Sequence, residues 1–199
     1  MATAKEELRR ALRRVRDSIS AAAADAAAGA AAGHLLALGP VTSARTIALY
    51  APVRGELDPG PAGRALATAG GVRLVYPRVL AAEKRLEFHE VVLAPSGARD
   101  QLRPGAFGIL EPPASAPLVA LDDIDVFVVP GLAFDDTGAR LGWGLGFYDR
   151  TLARAASAVR IGYAYACQIV ARVPTHAADL PMHYLVTDAG ASNPGGRDA

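Results

Sequence analysis

One segment constrains this chain more than any other. From Val129 to Leu152 it reads V-P-G-L-A-F-D-D-T-G-A-R-L-G-W-G-L-G-F-Y-D-R-T-L. The apolar run Val126–Val129 stops at Pro130-Gly131, as a buried strand does at its carboxyl end. A polar turn follows, Asp135 to Gly138, and then Arg140. Gly142, Gly144 and Gly146 alternate directly before Phe147-Tyr148-Asp149-Arg150. The stretch Leu152 to Ala158 has helical spacing and helix-forming composition. Strand, glycine-rich turn and helix in that order belong to an α/β sheet, whose ligands gather beyond the carboxyl ends of its strands. Such a turn lets backbone N–H groups crowd around an anion, and the start of a helix adds partial positive charge. A tight turn with glycines for steric reasons alone is the plainer alternative. Arg140 and Asp149 on its flanks favour a phosphate site.

The loop carries neither of the common phosphate signatures. A P-loop has Lys followed by Ser or Thr after its last glycine, and none stands here. A dinucleotide fingerprint has G-x-G-x-x-G with an acidic residue about 20 positions on, whereas the spacing here is G-x-G-x-G.

The rest of the chain supplies the remaining layers. Thr3 to Leu38 reads as one long helical region: Leu8, Leu12, Val15 and Ile19 form an apolar stripe, and the alanine-rich run Ala21–Ala32 follows. Buried strands are expected at 46–50, 72–76, 124–129 and 159–164, with a short helix at 59–69 between the first two. A strand at 86–93 and a closing one at 185–187 complete the sheet, and 94–121, rich in Pro and Gly, reads as loop. The expected fold is a single α/β domain over residues 1–188 with a mainly parallel sheet and a long N-terminal helix. Residues 189–199 read as an unstructured tail.

The chain's 199 residues suffice for one domain with a real core. A net charge of +1 gives no support for a nucleic-acid or membrane partner. A lone cysteine, Cys167, forms no internal disulfide, and no apolar stretch reaches spanning length, so a cytoplasmic protein is expected.

The central motif P-G-L-A-F-D-x-x-G-x-R-L-G-x-G-x-G-F-Y-D-R resembles that of the 5-formyltetrahydrofolate cyclo-ligases, also called methenyltetrahydrofolate synthetases. The likeness extends through Lys5 and Arg9 near the start and I-A-L-Y-A-P-V-R-G-E-L-D ending at Asp58. It continues through Val75–Val79, Phe107–Pro112, Tyr165–Gln168 and Val173–Asp188. The resemblance implies a three-layer α/β/α domain and a reaction that uses ATP to close a ring in 5-formyltetrahydrofolate. Phosphoryl transfer of this kind depends on positioning and on neutralising charge over the phosphate oxygens.

The resemblance also implies site roles. ATP contacts fall on Lys5, Arg9, Arg140, Gly142, Trp143, Gly144, Leu145, Gly146, Phe147 and Tyr148. Folate contacts fall on Tyr50, Glu56, Arg78, Phe107 and Tyr148. Catalytic roles fall on Arg140, Tyr148 and Asp149, and Mg2+ on Asp149 and Asp179. The residue types suit these roles. Lys5 and Arg9 are four apart and share a helix face. A carboxylate beside a phosphate loop is what Mg2+ needs. Glu56, past the first strand, offers a carboxylate acceptor to the amino and amide N–H groups of a pterin. Each residue has a plainer reading: a solvated basic face for Lys5 and Arg9, a helix-start charge for Asp149, a surface turn for Glu56, core packing for Tyr148 and Phe107. Three departures from relatives stand out. Leu145 replaces a common Gly or Lys, Phe147 a common Tyr, and Ala178 a common His. Two other functions remain open at this point: a folate- or nucleotide-binding relative without turnover, and a sugar-phosphate isomerase or hydrolase of similar architecture.

Overall fold

The computed structural model describes residues 3–93, 97–98, 101–175, 179–194 and 196. In chain order its helices are α1 (Ala4–Asp17), α2 (Ala21–Leu36), α3 (Gly39–Ser43), α4 (Gly60–Ala69) and α5 (Phe147–Leu152). Its strands are β1 (Thr46–Ala48), β2 (Arg73–Leu80), β3 (Arg85–Glu90), β4 (Arg103–Pro104), β5 (Leu110–Glu111) and β6 (Leu118–Val119). They continue as β7 (Val126–Pro130), β8 (Ala133–Phe134), β9 (Arg140–Leu141), β10 (Val159–Tyr163), β11 (Tyr184–Thr187) and β12 (Gly190–Ser192). Eight strands form one sheet in the order β12-β11-β10-β7-β1-β2-β3-β6. From β11 to β2 every pair is parallel, and β3, β6 and β12 add antiparallel edges.

Side chains along a strand alternate between faces, and the apolar core divides accordingly. Ile47, Leu74, Val126, Val128 and Ile161 face a layer made by α2 and α4. Ala48, Val75, Phe127, Val129 and Leu185 face the opposite way, toward Leu152 of α5 and the turns that follow it. The connection after β1 leads to β2 on one side, while β7 leads to β10 and β11 on the other. The strand order therefore reverses between β1 and β7, where an α/β sheet opens a crevice at its carboxyl edge.

Four expectations change. The segment 94–121, read as loop, carries β4 and β5 as a two-stranded pair and β6 as an edge strand of the main sheet, because short pairings need no apolar run. The long N-terminal helix is two helices whose axes meet at 103°. Ser18 caps the end of α1, and Ser20 caps α2 by accepting a hydrogen bond from the Ala23 N–H at 3.2 Å. Serine competes for backbone hydrogen bonds, so it breaks a helix where alanine would extend it. The helix expected over 152–158 ends at Leu152 instead. Ala155 and Ala158 are buried from turns, and their spacing of three imitates a helix. The tail expected to lack structure after Asp188 begins with β12, paired antiparallel with β11 from Leu185–Ser192 to Thr187–Gly190. Backbone pairing needs no hydrophobic pattern, so composition hid it. Among the described residues no single helix is long and apolar enough to cross a membrane.

Candidate active site

The chain leaves β1 through Tyr50, whose buried hydroxyl donates to the Leu57 carbonyl and pins the turn between them. Within that turn Arg54 and Gly55 both take left-handed backbone angles, φ 49° and 73°. The curl lets Glu56 N–H reach the Val53 carbonyl at 3.1 Å, while Val53 N–H returns to Glu56 Oε2 at 3.1 Å. Glu56 is thereby buried at the strand ends. Burial raises its carboxyl above the usual range, opposed by hydrogen bonds from Trp143 and Val53 and by the charges of Arg16 and Arg54.

Beyond β7 the chain turns through Pro130-Gly131 into the β8–β9 hairpin. Gln168, fully buried, donates to the carbonyls of Gly131 and Leu132, both at 2.9 Å, and holds that turn. Asp135 closes the hairpin by accepting from Thr137 N–H and hydroxyl, Ala139 N–H and Val173 N–H. Burial works against its charge, yet these four bonds outweigh it and hold the carboxyl below its ordinary value. The hairpin's outer face, with Ala133, Ala139 and Leu141, receives Leu8 and Leu12 of α1. That seating swings α1 across the crevice.

The glycine loop runs from β9 to α5 and is held from both sides. Arg9 Nε donates to the Gly142 carbonyl at 2.9 Å. Arg150 donates to the carbonyls of Leu145 and Lys84. Gly144 sits at φ 97°, and a Cβ there would stand 3.2 Å from the Arg9 guanidinium. That position requires glycine for its backbone and for the cation beside it. Gly146, at φ 69°, starts α5. The helix has six residues, so the charge near the loop comes from side chains more than from a helix dipole. Arg140 Nη2 donates to Asp149 Oδ1 at 2.6 Å, and its guanidinium lies 5.5 Å from the Tyr148 ring centre. Burial first, then the Glu56 charge, pushes the Tyr148 phenol up, so it remains a hydrogen-bond donor. Lys5 Nζ meets Asp179 Oδ2 at 3.1 Å.

These parts enclose a cleft of about 580 Å3, a size that suits a small ligand. Its walls bring together Lys5, Arg9, Tyr50, Glu56, Phe107, Arg140, Asp149, Asp179 and the whole run Gly142–Tyr148, Trp143 and Leu145 included. Phe107, itself at φ 57° and 57 % exposed, leans toward Phe147 with ring centres 5.9 Å apart. Arg78 is the exception among the expected site residues. It donates to the Pro112 carbonyl and lies 3.5 Å from Glu87, which draws it out of the cleft lining and onto the base of the segment carrying Phe107. Ala178 lies outside the described residues.

The profile of the 5-formyltetrahydrofolate cyclo-ligase family matches residues 1–188. The chain belongs to this family. It is 34% identical over 151 residues to the 5-formyltetrahydrofolate cyclo-ligase of Escherichia coli (strain K12), covering 74% of this chain and 80% of that one. It is 34% identical over 190 residues to the enzyme of the same name from Mycolicibacterium smegmatis, covering 92% and 93%. The NMR structure of Aquifex aeolicus 5,10-methenyltetrahydrofolate synthetase superposes with a TM-score of 0.83 at 31% identity, over 99% of this chain and 96% of that one.

Sequence reasoning passed over Arg13, Arg16 and Arg54, whose guanidiniums lie 4.8, 5.1 and 4.9 Å from the Trp143 ring centre. It also passed over Asp135 as the hairpin's anchor. Asp135-Asp136-Thr137-Gly138 was legible as an Asx turn, since Asp accepts from the backbone two residues on. The arginines carried no such signal.

Proposed function

We propose that this member of the family catalyses the ATP-dependent conversion of 5-formyltetrahydrofolate to 5,10-methenyltetrahydrofolate, with release of ADP and phosphate. One observation carries the reading: Lys5, Arg9 and Arg140 converge on the glycine loop in the same cleft that holds the buried Glu56 carboxylate. Cations and backbone donors at one side suit a triphosphate, and a carboxylate at the other suits the N–H donors of a pterin.

In this reading the formyl oxygen attacks the γ-phosphorus and the bond to the β-phosphate oxygen breaks, releasing ADP. The nitrogen-10 lone pair then adds to the phosphorylated formyl carbon. The carbon–oxygen bond to phosphate breaks, phosphate leaves, and the nitrogen-10 proton passes to solvent. Amide oxygen is a poor leaving group until phosphorylated, which is why ATP is consumed. Arg140, Lys5 and Arg9 spread positive charge over the transferring group. Arg140 also orients Asp149 and lies against Tyr148, so one guanidinium sets the acidic and phenolic groups together.

The donor set suits Mg2+. Among the described residues no three metal-ligating side chains gather, whereas Mg2+ takes one or two carboxylates with phosphate oxygens and water. Asp149 and Asp179 line the same cleft, and each is steadied at one oxygen by a cation. These two would hold the ion, which when bound neutralises phosphate charge. The exposed, unpaired thiol of Cys167 accords with a reducing, cytoplasmic setting.

Appearance of methenyl-folate absorbance only when ATP, Mg2+ and 5-formyltetrahydrofolate are all present is the expected result. Turnover without ATP, or ATP binding with no turnover at all, defeats the proposal. Asp149→Asn should lower kcat by more than about 100-fold, as losing a transition-state electrostatic partner does, with the circular dichroism of the fold unchanged.

A further inference from the structure

Trp143 is the chain's sole tryptophan and stands between two glycines of the loop. Its indole N–H donates to Glu56 Oε1 at 3.0 Å, so the loop from β9 reaches across the cleft to the turn after β1. Three guanidiniums surround the ring, Arg13 and Arg16 from α1 and Arg54 from the turn. Arg16 is the unusual member. Its relative exposure is 2%, and its Nε and Nη1 are buried without a hydrogen-bond partner among the described residues. A guanidinium held this way costs free energy that an apolar side chain of similar length would not. Packing alone therefore does not account for arginine at this position, whereas a counter-charge for a buried carboxylate does.

We propose that Trp143 and Arg16 are positioning residues for Glu56, holding its carboxylate ionised and in one plane to receive the pterin N–H donors of the folate. This rests on the reading of Glu56 given above. Val53 N–H occupies one lone pair of Oε2 and Trp143 one of Oε1, which fixes the plane of the group. Each oxygen keeps a second lone pair, enough for a pterin amino and amide N–H side by side. A protonated Glu56 would present a donor to those donors and lose the pair. The ionisable groups facing Glu56 are Arg16 from α1, Arg54 from its own turn, Tyr50 from the end of β1 and Tyr148 from α5. Both phenols stay neutral, so the indole bond, the Val53 N–H and the two arginines oppose the desolvation. Asp17 and Asp58 are the further acids near this cluster.

Three variants test this. Trp143→Phe keeps the ring but lacks the N–H, Arg16→Met keeps the stem but lacks the charge, and Arg16→Lys keeps a charge. The first readout is the Glu56 carboxyl titration by 13C NMR in folate-free protein, assigned against Glu56→Gln. Trp143→Phe and Arg16→Met should titrate higher than wild type, and Arg16→Lys should return toward it. The second is kinetic. In Arg16→Met, KM for 5-formyltetrahydrofolate should rise about tenfold at neutral pH with KM for ATP unchanged, the worth of one interaction with a charged group. The acid limb of kcat/KM for the folate should move to higher pH, because the carboxylate is lost as pH falls through a higher pKa. Should Arg16→Met fail to fold, Trp143→Phe decides alone. A wild-type Glu56 titration in Trp143→Phe, or equal rises in both KM values in Arg16→Met, overturns the proposal. A shifted titration together with a wild-type folate KM in Glu56→Gln removes Glu56 from folate recognition, and these two residues with it.

Discussion

α1 and α2 follow one another in sequence with three residues between them, and both are strong helix formers. α2 is alanine-rich and buries Ala28, Ala31, Ala32 and Leu35 against the sheet and α4. α1 is arginine-rich and buries only Leu12 and Arg16, seated on the β8–β9 hairpin. Small side chains let α2 lie close to the sheet and become part of the core. Long cationic side chains keep α1 at the rim, where their stems pack and their charges reach inward. The comparison separates two kinds of contribution: α2 supplies packing, and α1 supplies charge at the cleft, including a buried Arg16 that is held there at a cost.

The largest test acts on α2. Leu35→Ala should lower unfolding free energy by about 3 kcal/mol, the cost of a buried cavity, with KM for ATP and folate unchanged in the folded fraction. Denaturant titration alongside steady-state kinetics checks it, and a shift in either KM would mean α2 is not a pure scaffold.

Next comes the platform under α1. Asp135→Asn should cost about 2 kcal/mol at neutral pH, since one amide cannot accept all the bonds a carboxylate does. The native carboxyl titrates below its unfolded value, so its contribution is present above the unfolded pKa and lost as pH falls through the native one. The difference between mutant and wild type should therefore shrink below about pH 4. A constant difference down to acid pH would show that the four bonds do not depend on the charge.

On α1 itself, Lys5→Ala combined with Arg9→Ala should raise KM for ATP about tenfold, or ~1.4 kcal/mol, while KM for folate and the unfolding free energy barely move. Titrating each substrate at saturation of the other separates the outcomes. Equal, negligible shifts would return these side chains to the solvated surface. The smallest effect is expected at the junction. Ser20→Ala removes the cap of α2 at a cost of about 1 kcal/mol. If ATP affinity falls too, the cap also sets the angle at which α1 crosses the cleft.

Legibility in the sequence followed how local each feature is. The glycine loop was readable because Gly142, Gly144 and Gly146 act through backbone angles at neighbouring positions, and it falls in the cleft as spaced. The parallel strands were readable because burial on both faces demands continuous apolar runs. Arg78 stands outside the cleft lining because a strand-end arginine meets a ligand or a loop carbonyl with equal ease, and here Pro112 takes it. Arg16 was unreadable for a stronger reason. It sits among arginines of one helix, and only the 103° bend that brings α1 down on Trp143 buries it while Arg10 stays exposed.

The sequence by itself determined the strand-loop-helix order, the glycine loop and the cationic face of α1, because each depends on residues a few positions apart. Only the tertiary structure decided that Glu56, Trp143 and Arg16 meet. They come from three separate segments, and what joins them is the reversal of strand order between β1 and β7 and the seating of α1 on the hairpin. Local propensity holds no information about distances across a folded sheet, and the balance between desolvation and charge at Glu56 exists only once those distances are set.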